Sequence, residues 1–146
     1  DMAPLVAARG VPVIIMHNRD RADPAIDIVA DMLAFFERSL EIADRAGIAR
    51  HQIALDPGIG FGKVPQQSMT AIAHLARFKI FGLPLLVGAS RKRFIASVTP
   101  SEPHQRLGGS IAAHLLAVQN GAAIIRAHDV AATAEAMRAA AAIGGA

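Results

Sequence analysis

The sequence predicts a parallel α/β fold of four βα units, enough to form half of a (β/α)8 barrel. Three observations carry that prediction. Short apolar runs alternate with longer amphipathic stretches, and the strand starts fall roughly 30 to 40 residues apart, a rhythm that implies right-handed crossovers between parallel strands. Each apolar run stops at a polar or charged residue, and in parallel α/β folds those strand ends open together on the face where sites form. The chain has 146 residues where a full barrel takes about 250, and Met2 to Arg9 reads as the tail of a helix closed by Gly10, so the sequence reads as beginning inside an element. An open doubly wound sheet is the other architecture that the alternation allows.

The elements follow in order. Val11 to Met16 is an apolar, β-branched run, read as a strand buried on both faces and ending at His17-Asn18. Asp23-Pro24 looks like a helix start, with Asp as N-cap and Pro at the first position. Val29, Met32, Leu33, Phe36, Leu40 and Ala43 then share one face, Asp27, Asp31, Arg38, Glu41 and Arg45 the other, and Gly47 ends the helix. Gln52 to Asp56 is the second strand. Pro65 keeps Lys63 from running straight into the next helix, expected from Gln66 to Phe81 with a stripe of Met69, Ile72, Ala73, Ala76 and Ile80. Pro84 to Val87 is the third strand, followed by Gly88-Ala-Ser-Arg-Lys92, a short helix over Arg93 to Ser97 and a polar loop from Thr99 to His104. A helix over Gln105 to Asn120 carries Leu107, Ile111, Leu115 and Val118 on one face, with Gly121 as its stop. Ala122 to Ile125 is the fourth strand, ending at Arg126-Ala-His-Asp129, and an alanine-rich helix runs from Ala131 to Ile143. The units are too dissimilar to be called a repeat.

Composition excludes several classes. No apolar run nears the roughly 20 residues of a spanning helix, and no stretch at the start looks like a signal peptide. The absence of cysteine removes disulfides and thiolate metal sites and fits a cytoplasmic protein. A net charge of +3, with no Trp and no Tyr, argues against nucleic acid.

The chemistry concentrates at the strand ends. Asp56 follows a buried strand and precedes Pro57-Gly58, where a carboxylate could accept ring N–H bonds or act as a base. Gly58-Ile-Gly-Phe-Gly-Lys63 lets backbone approach a ligand closely. It is neither a P-loop, since Val64 stands where Ser or Thr would bind magnesium, nor a dinucleotide fingerprint. Ser90-Arg91-Lys92 places two cations at the site edge, at least one of them toward a ligand. Arg126 and His128, two residues apart along an extended end, point the same way as an oxyanion or phosphate clamp, unless Asp129 engages them in a salt bridge. Met16 is either strand core or an apolar pocket wall, and His17 is balanced between a structural and a functional role. His114 reads as a packed or interface residue, and His51, His74 and His104 as surface residues. No ligand spacing suggests a metal site formed by this chain alone.

Three motifs in this order, Asp56-Pro-Gly-Ile-Gly-Phe-Gly-Lys63, Pro84-Leu-Leu-Val-Gly-Ala-Ser-Arg-Lys92 and Ala123-Ile-Ile-Arg-Ala-His-Asp-Val130, closely resemble dihydropteroate synthase, and Val13-Ile-Ile-Met-His17 is similar to the fifth strand of that family. The resemblance implies that residues 1–146 are the C-terminal half of a (β/α)8 TIM barrel, strands five to eight. It implies an enzyme that condenses 6-hydroxymethyl-7,8-dihydropterin diphosphate with p-aminobenzoate to dihydropteroate and pyrophosphate in folate synthesis, with sulfonamides as competitors. By motif position, Lys92, Arg126 and His128 would be catalytic. Met16, Asp56, Gly60, Phe61, Gly88, Ser90 and Lys92 would bind the pterin and p-aminobenzoate, with Phe61 and Ser90 flanking the latter, and Arg126 and His128 would take the diphosphate. Mg2+ is implied, its ligand expected from the absent N-terminal half.

The same resemblance implies that this chain alone is inactive and that its partners are the N-terminal half and a second copy, joined through C-terminal helices by way of Ile111, Leu115 and Val118. A pterin-binding methyltransferase using a methyl-folate, or a non-catalytic half-barrel binding module, are the rival readings.

Overall fold

The computed structural model describes residues 2–145. Four parallel strands form its centre: β1 (Val13–Met16), β2 (Ile53–Asp56), β3 (Leu86–Val87) and β4 (Ile124–Ile125). β1 pairs with β2 from Val13↔Ile53 to Met16↔Asp56, and β3 pairs with β4 at Leu86↔Ile124 and Val87↔Ile125. A parallel bridge, Leu55↔Leu85, joins the two pairs, with Leu55 N–H donating to the Pro84 carbonyl at 2.9 Å. Spatial order therefore follows chain order. A doubly wound sheet reverses its order at a switch point, and this arrangement does not. Successive right-handed crossovers in unreversed order keep the helices on one side, which is the winding of a barrel wall.

Among the described residues six α-helices make the outer layer: α1 (Met2–Arg9), α2 (Ile28–Ala46), α3 (Pro65–Ala73), α4 (Arg93–Val98), α5 (Leu107–Gln119) and α6 (Val130–Gly144). The core lies between this layer and the strands. Met32 and Phe36 of α2 meet Leu55, Leu75, Phe78, Leu85 and Val87, all buried, and Phe36 sits edge-on to Phe78 at 5.6 Å. The opposite face of the strands is open at its two edges: Ile14 is 49% and Ile124 42% exposed, though Leu86 beside Ile124 is buried, while Val13, Ile15 and Ile125 pack on the core.

Several expected elements shift. The helix anticipated at Asp23-Pro24 begins later, because Asp27 is the true cap and accepts from Val29 and Ala30 N–H at 3.0 and 3.1 Å. Asp23 instead closes a turn onto Ala25 N–H. The helix expected over Gln66 to Phe81 is α3 followed by a 3-10 segment, Leu75–Phe81. That change of winding moves the buried stripe to Ile72, Leu75 and Phe78, spaced by three, and turns Ala73, Ala76 and Ile80 outward. On α5 the small residues Ala113 and Ala117 face the core with Ser110 and His114, leaving Leu107 and Val118 exposed. The strands are shorter than expected at their starts, since Val11, Gln52, Pro84 and Ala122 precede the paired residues. No helix among the described residues is long and apolar enough to cross a membrane.

Candidate active site at the strand ends

The C-terminal ends of the four strands surround a cavity of about 540 Å³ lined by Met16, Phe61, Gly88, Ser90, Lys92, Arg126, Ala127 and His128. Gly88 gives the Arg126 side chain room, since a Cβ on it would lie 2.8 Å from the guanidinium and oblige that side chain to shift. A second cavity of about 430 Å³, lined in part by Gly60, Ser68, Lys92 and Arg93, adjoins the first through Lys92.

Asp56 is 0% exposed and holds both its oxygens in use. Oδ1 accepts from Gly58 N–H at 2.7 Å, closing an Asx turn, and Oδ2 accepts from Arg126 Nη2 at 3.0 Å. The Arg126 side chain remains 51% exposed, so this pair links a buried carboxylate to a solvent-facing cation. The feared bridge from Arg126 or His128 to Asp129 does not form. Asp129 pairs with Arg91 through two bonds of 3.0 and 2.7 Å. That pair holds the Asp129 carboxyl below its ordinary value, chiefly by the hydrogen bond from Arg91.

Arg91 has φ of 58°, in the left-handed region, and is fixed there. Its N–H donates to Ser110 Oγ at 2.9 Å, and its carbonyl accepts from Arg106 Nη1 at 2.9 Å. This twist turns Arg91 away and leaves Ser90 and Lys92 on the cavity. Ser90 is spoken for within the site. Its Oγ accepts from His128 N–H at 3.2 Å and lies 2.9 Å from His128 Nδ1. Lys92 Nζ stands 4.1 Å above the Phe61 ring. Burial, then repulsion from Arg126, pushes its ammonium below the ordinary lysine value, against the pull of Asp56.

The glycine loop lies against the exit of β1. A Cβ on Gly58 (φ 63°) would sit 1.9 Å from the His17 carbonyl oxygen, and one on Gly62 (φ 56°) 2.2 Å from that of Arg19. His17, balanced between two roles on sequence grounds, faces the helix layer rather than the cavity. It is 1% exposed, its Nε2 lies 3.0 Å from Asp31 Oδ2, and its ring meets Phe35 edge-on. Asp31, expected on the solvent face of α2, therefore belongs to a buried-edge cluster with His17 and Arg19. Lys63, Arg93 and the Arg91–Asp129 pair are the neighbours that the sequence did not single out in these roles. Lys63 reaches His17 across 46 residues and Arg91 reaches Asp129 across 38, while the other Lys63 partners, Gly58 and Phe61, lie beside it and Arg93 stands next to Lys92. His114 is buried as expected, with both ring nitrogens unpartnered. Among the described residues no group of three or more His, Asp or Glu is placed to hold a metal ion.

Comparison with known proteins adds a family. The family described as pterin binding enzyme matches residues 1–128. The dihydropteroate synthase of Escherichia coli (strain K12) is 41% identical over 138 residues, covering 90% of this chain and 49% of that protein. The dihydropteroate synthase of Bacillus subtilis (strain 168) is 40% identical over 129 residues, 88% of this chain and 45% of its own length. Among solved structures, the Xanthomonas albilineans dihydropteroate synthase with 4-aminobenzoic acid superposes with a TM-score of 0.95 at 42% identity, over 99% of this chain and 53% of that one. The Yersinia pestis enzyme with a pterine-sulfa conjugate gives 0.93 at 40% identity, over 99% and 56%. The chain spans about half the length of these relatives.

Proposed function

The chain belongs to the pterin-binding enzyme family, and on that premise we propose that it supplies the catalytic strand ends of a dihydropteroate synthase. The observation that carries this is the pairing of one fully buried carboxylate with basic side chains across one cavity: Asp56 below, and Lys92, Arg126 and the His128 imidazole around it. The order of the three motifs supports placing these four βα units as the second half of the barrel, and the open strand face bearing Ile14 and Ile124 is the surface that the first half would cover.

In this reading the pterin lies over Met16 and Gly88. Its ring N–H groups donate to Asp56 Oδ2 in place of Arg126, and Lys92 donates to its carbonyl oxygen. Arg126, released from Asp56, joins His128 on the diphosphate. The aniline nitrogen of p-aminobenzoate forms a bond to the pterin methylene carbon as the carbon–oxygen bond to diphosphate breaks, and pyrophosphate leaves with that electron pair. The negative charge that builds there is stabilised by Arg126 and by hydrogen bonding from His128. The nitrogen then sheds its proton, so no strong base is required. Phe61 forms the wall against p-aminobenzoate, and the second cavity, with Arg93 at its rim, suits the carboxylate end. Ser90 acts by holding His128 rather than by touching p-aminobenzoate first. The residues described here do not fit an Mg2+ site, so no step is routed through that ion.

A cytoplasmic location and a homodimer are part of the same proposal. The apolar groove between α3, α4 and α5, with Val98 and Leu116 exposed at its lip, supports the second.

The test has two stages. A denaturing mass spectrum of the natively sized protein reads whether a second polypeptide accompanies this chain. Calorimetric titration with pterin diphosphate then gives binding that Arg126→Ala reduces at least tenfold. Preference for a methyl-folate would turn the assignment to a methyltransferase, and no turnover after an N-terminal half is restored would leave a binding module.

A further inference from the structure

We propose that Lys63 is a positioning residue, a buried pin that fixes the aromatic wall of the site by holding two carbonyls of the glycine loop against the end of β1. Lys63 is 8% exposed and borders the second cavity, yet its Nζ bonds no carboxylate. It donates to Gly58 O at 3.0 Å and Phe61 O at 3.1 Å, and lies 2.7 Å from His17 Nδ1. An ammonium has three donors and no acceptor, and here all three are used. His17 Nδ1 is therefore an acceptor, and the ring proton stands on Nε2, donating to Asp31 Oδ2. Arg19 Nη1 donates to the same oxygen at 2.9 Å. The row Arg19, Asp31, His17, Lys63 thus runs from α2 to the loop and orients the pin.

The two carbonyls bracket Gly58 to Phe61, the stretch that carries the aromatic ring. Fixing both ends of that stretch fixes the ring beneath Lys92. Burial pushes the Lys63 ammonium down to about 8, opposed by Asp56 and Asp31 and assisted by Arg19. The group is still mostly charged at neutral pH. Once neutral it has two N–H bonds left, enough for the two carbonyls but not for His17 Nδ1 as well.

The meaning for p-aminobenzoate rests on the synthase reading, but the test does not. It uses the free chain labelled with 15N and with fluorinated phenylalanine, the Phe61 signal being assigned by Phe61→Leu. Long-range proton–nitrogen correlation is expected to place the His17 proton on Nε2. Lys63→Met is expected to speed amide exchange at Gly60 and Phe61 roughly tenfold or more and to shift the Phe61 fluorine signal, while Lys79→Met, at the surface, changes neither. A His17 proton on Nδ1, or a loop whose exchange and fluorine signal are unmoved in Lys63→Met, would overturn the pin. If Lys63→Met does not fold, the tautomer in the unaltered chain decides. A failed pterin titration leaves these readouts intact, and a failed pin leaves the titration intact.

Discussion

The two sides of the cavity are held by opposite means. On the β1–β2 side, the glycine loop is packed against backbone, Gly58 against His17 and Gly62 against Arg19, and pinned by a buried lysine. On the β3–β4 side, the ends are tied by ion pairs whose guanidinium is open to solvent, Arg91 to Asp129 and Arg126 to the buried Asp56 at the end of β2. The first arrangement has no slack, because its contacts are covalent-chain atoms that cannot rotate away. The second can be exchanged, because each guanidinium is reached by solvent, although the buried carboxylate of Asp56 releases Arg126 only to another donor. A rigid wall suits recognition of a flat ring, and exchangeable cations suit an anion that must arrive and depart.

Four measurements sharpen or break that contrast. Gly58→Ala is expected to be the most damaging, on the order of 4 kcal/mol or more by urea unfolding, since its Cβ would fall 1.9 Å from the His17 carbonyl. A mild loss would show that the loop yields. Asp56→Ala leaves the buried Gly58 N–H without its acceptor, with an expected cost of about 1–3 kcal/mol and loss of pterin binding by calorimetry. A third measurement follows stability against pH. Lys63 sits at about 8 in the fold, below its ordinary 10.5. The unfolded chain therefore holds more protons between those values, and unfolding free energy should rise with pH across that window by at most about 1.4 kcal/mol per unit. Lys63→Met should flatten this rise, and a slope that persists would assign it elsewhere. Asp129→Asn should have the smallest effect, fading in about 1 M salt and, through the depressed carboxyl, appearing only above the pH at which Asp129 ionises. An effect as large as that of Gly58→Ala would erase the distinction between the two sides.

The strand ends were legible because a buried strand advertises itself by composition and its last residue by contrast, as at Leu55-Asp56 and Ile125-Arg126. Helix phase was less so. Two aspartates, Asp23 and Asp27, compete as caps, and Pro24 favoured the wrong one until tertiary packing began α2 at Ile28. The switch to 3-10 winding after Ala73 leaves no mark in a stretch whose apolar residues are frequent enough for several stripes to fit. The pin was illegible for another reason. Lys63 meets His17 across 46 residues, and His17 meets Asp31 through a layer that no linear pattern encodes. Proximity built by topology is invisible to spacing.

The divided duty of Asp56 bears on how such a site can vary by mutation. One oxygen closes the turn to Gly58 while the other faces across the cavity. Any change here that would alter what the pocket accepts also releases the turn that seats the loop. Variants seeking new ligand preferences, whether arising by selection or made by an engineer, therefore find their tolerated paths at the rim, around Arg93 and Phe61, where a side chain can change without undoing the fold beneath it.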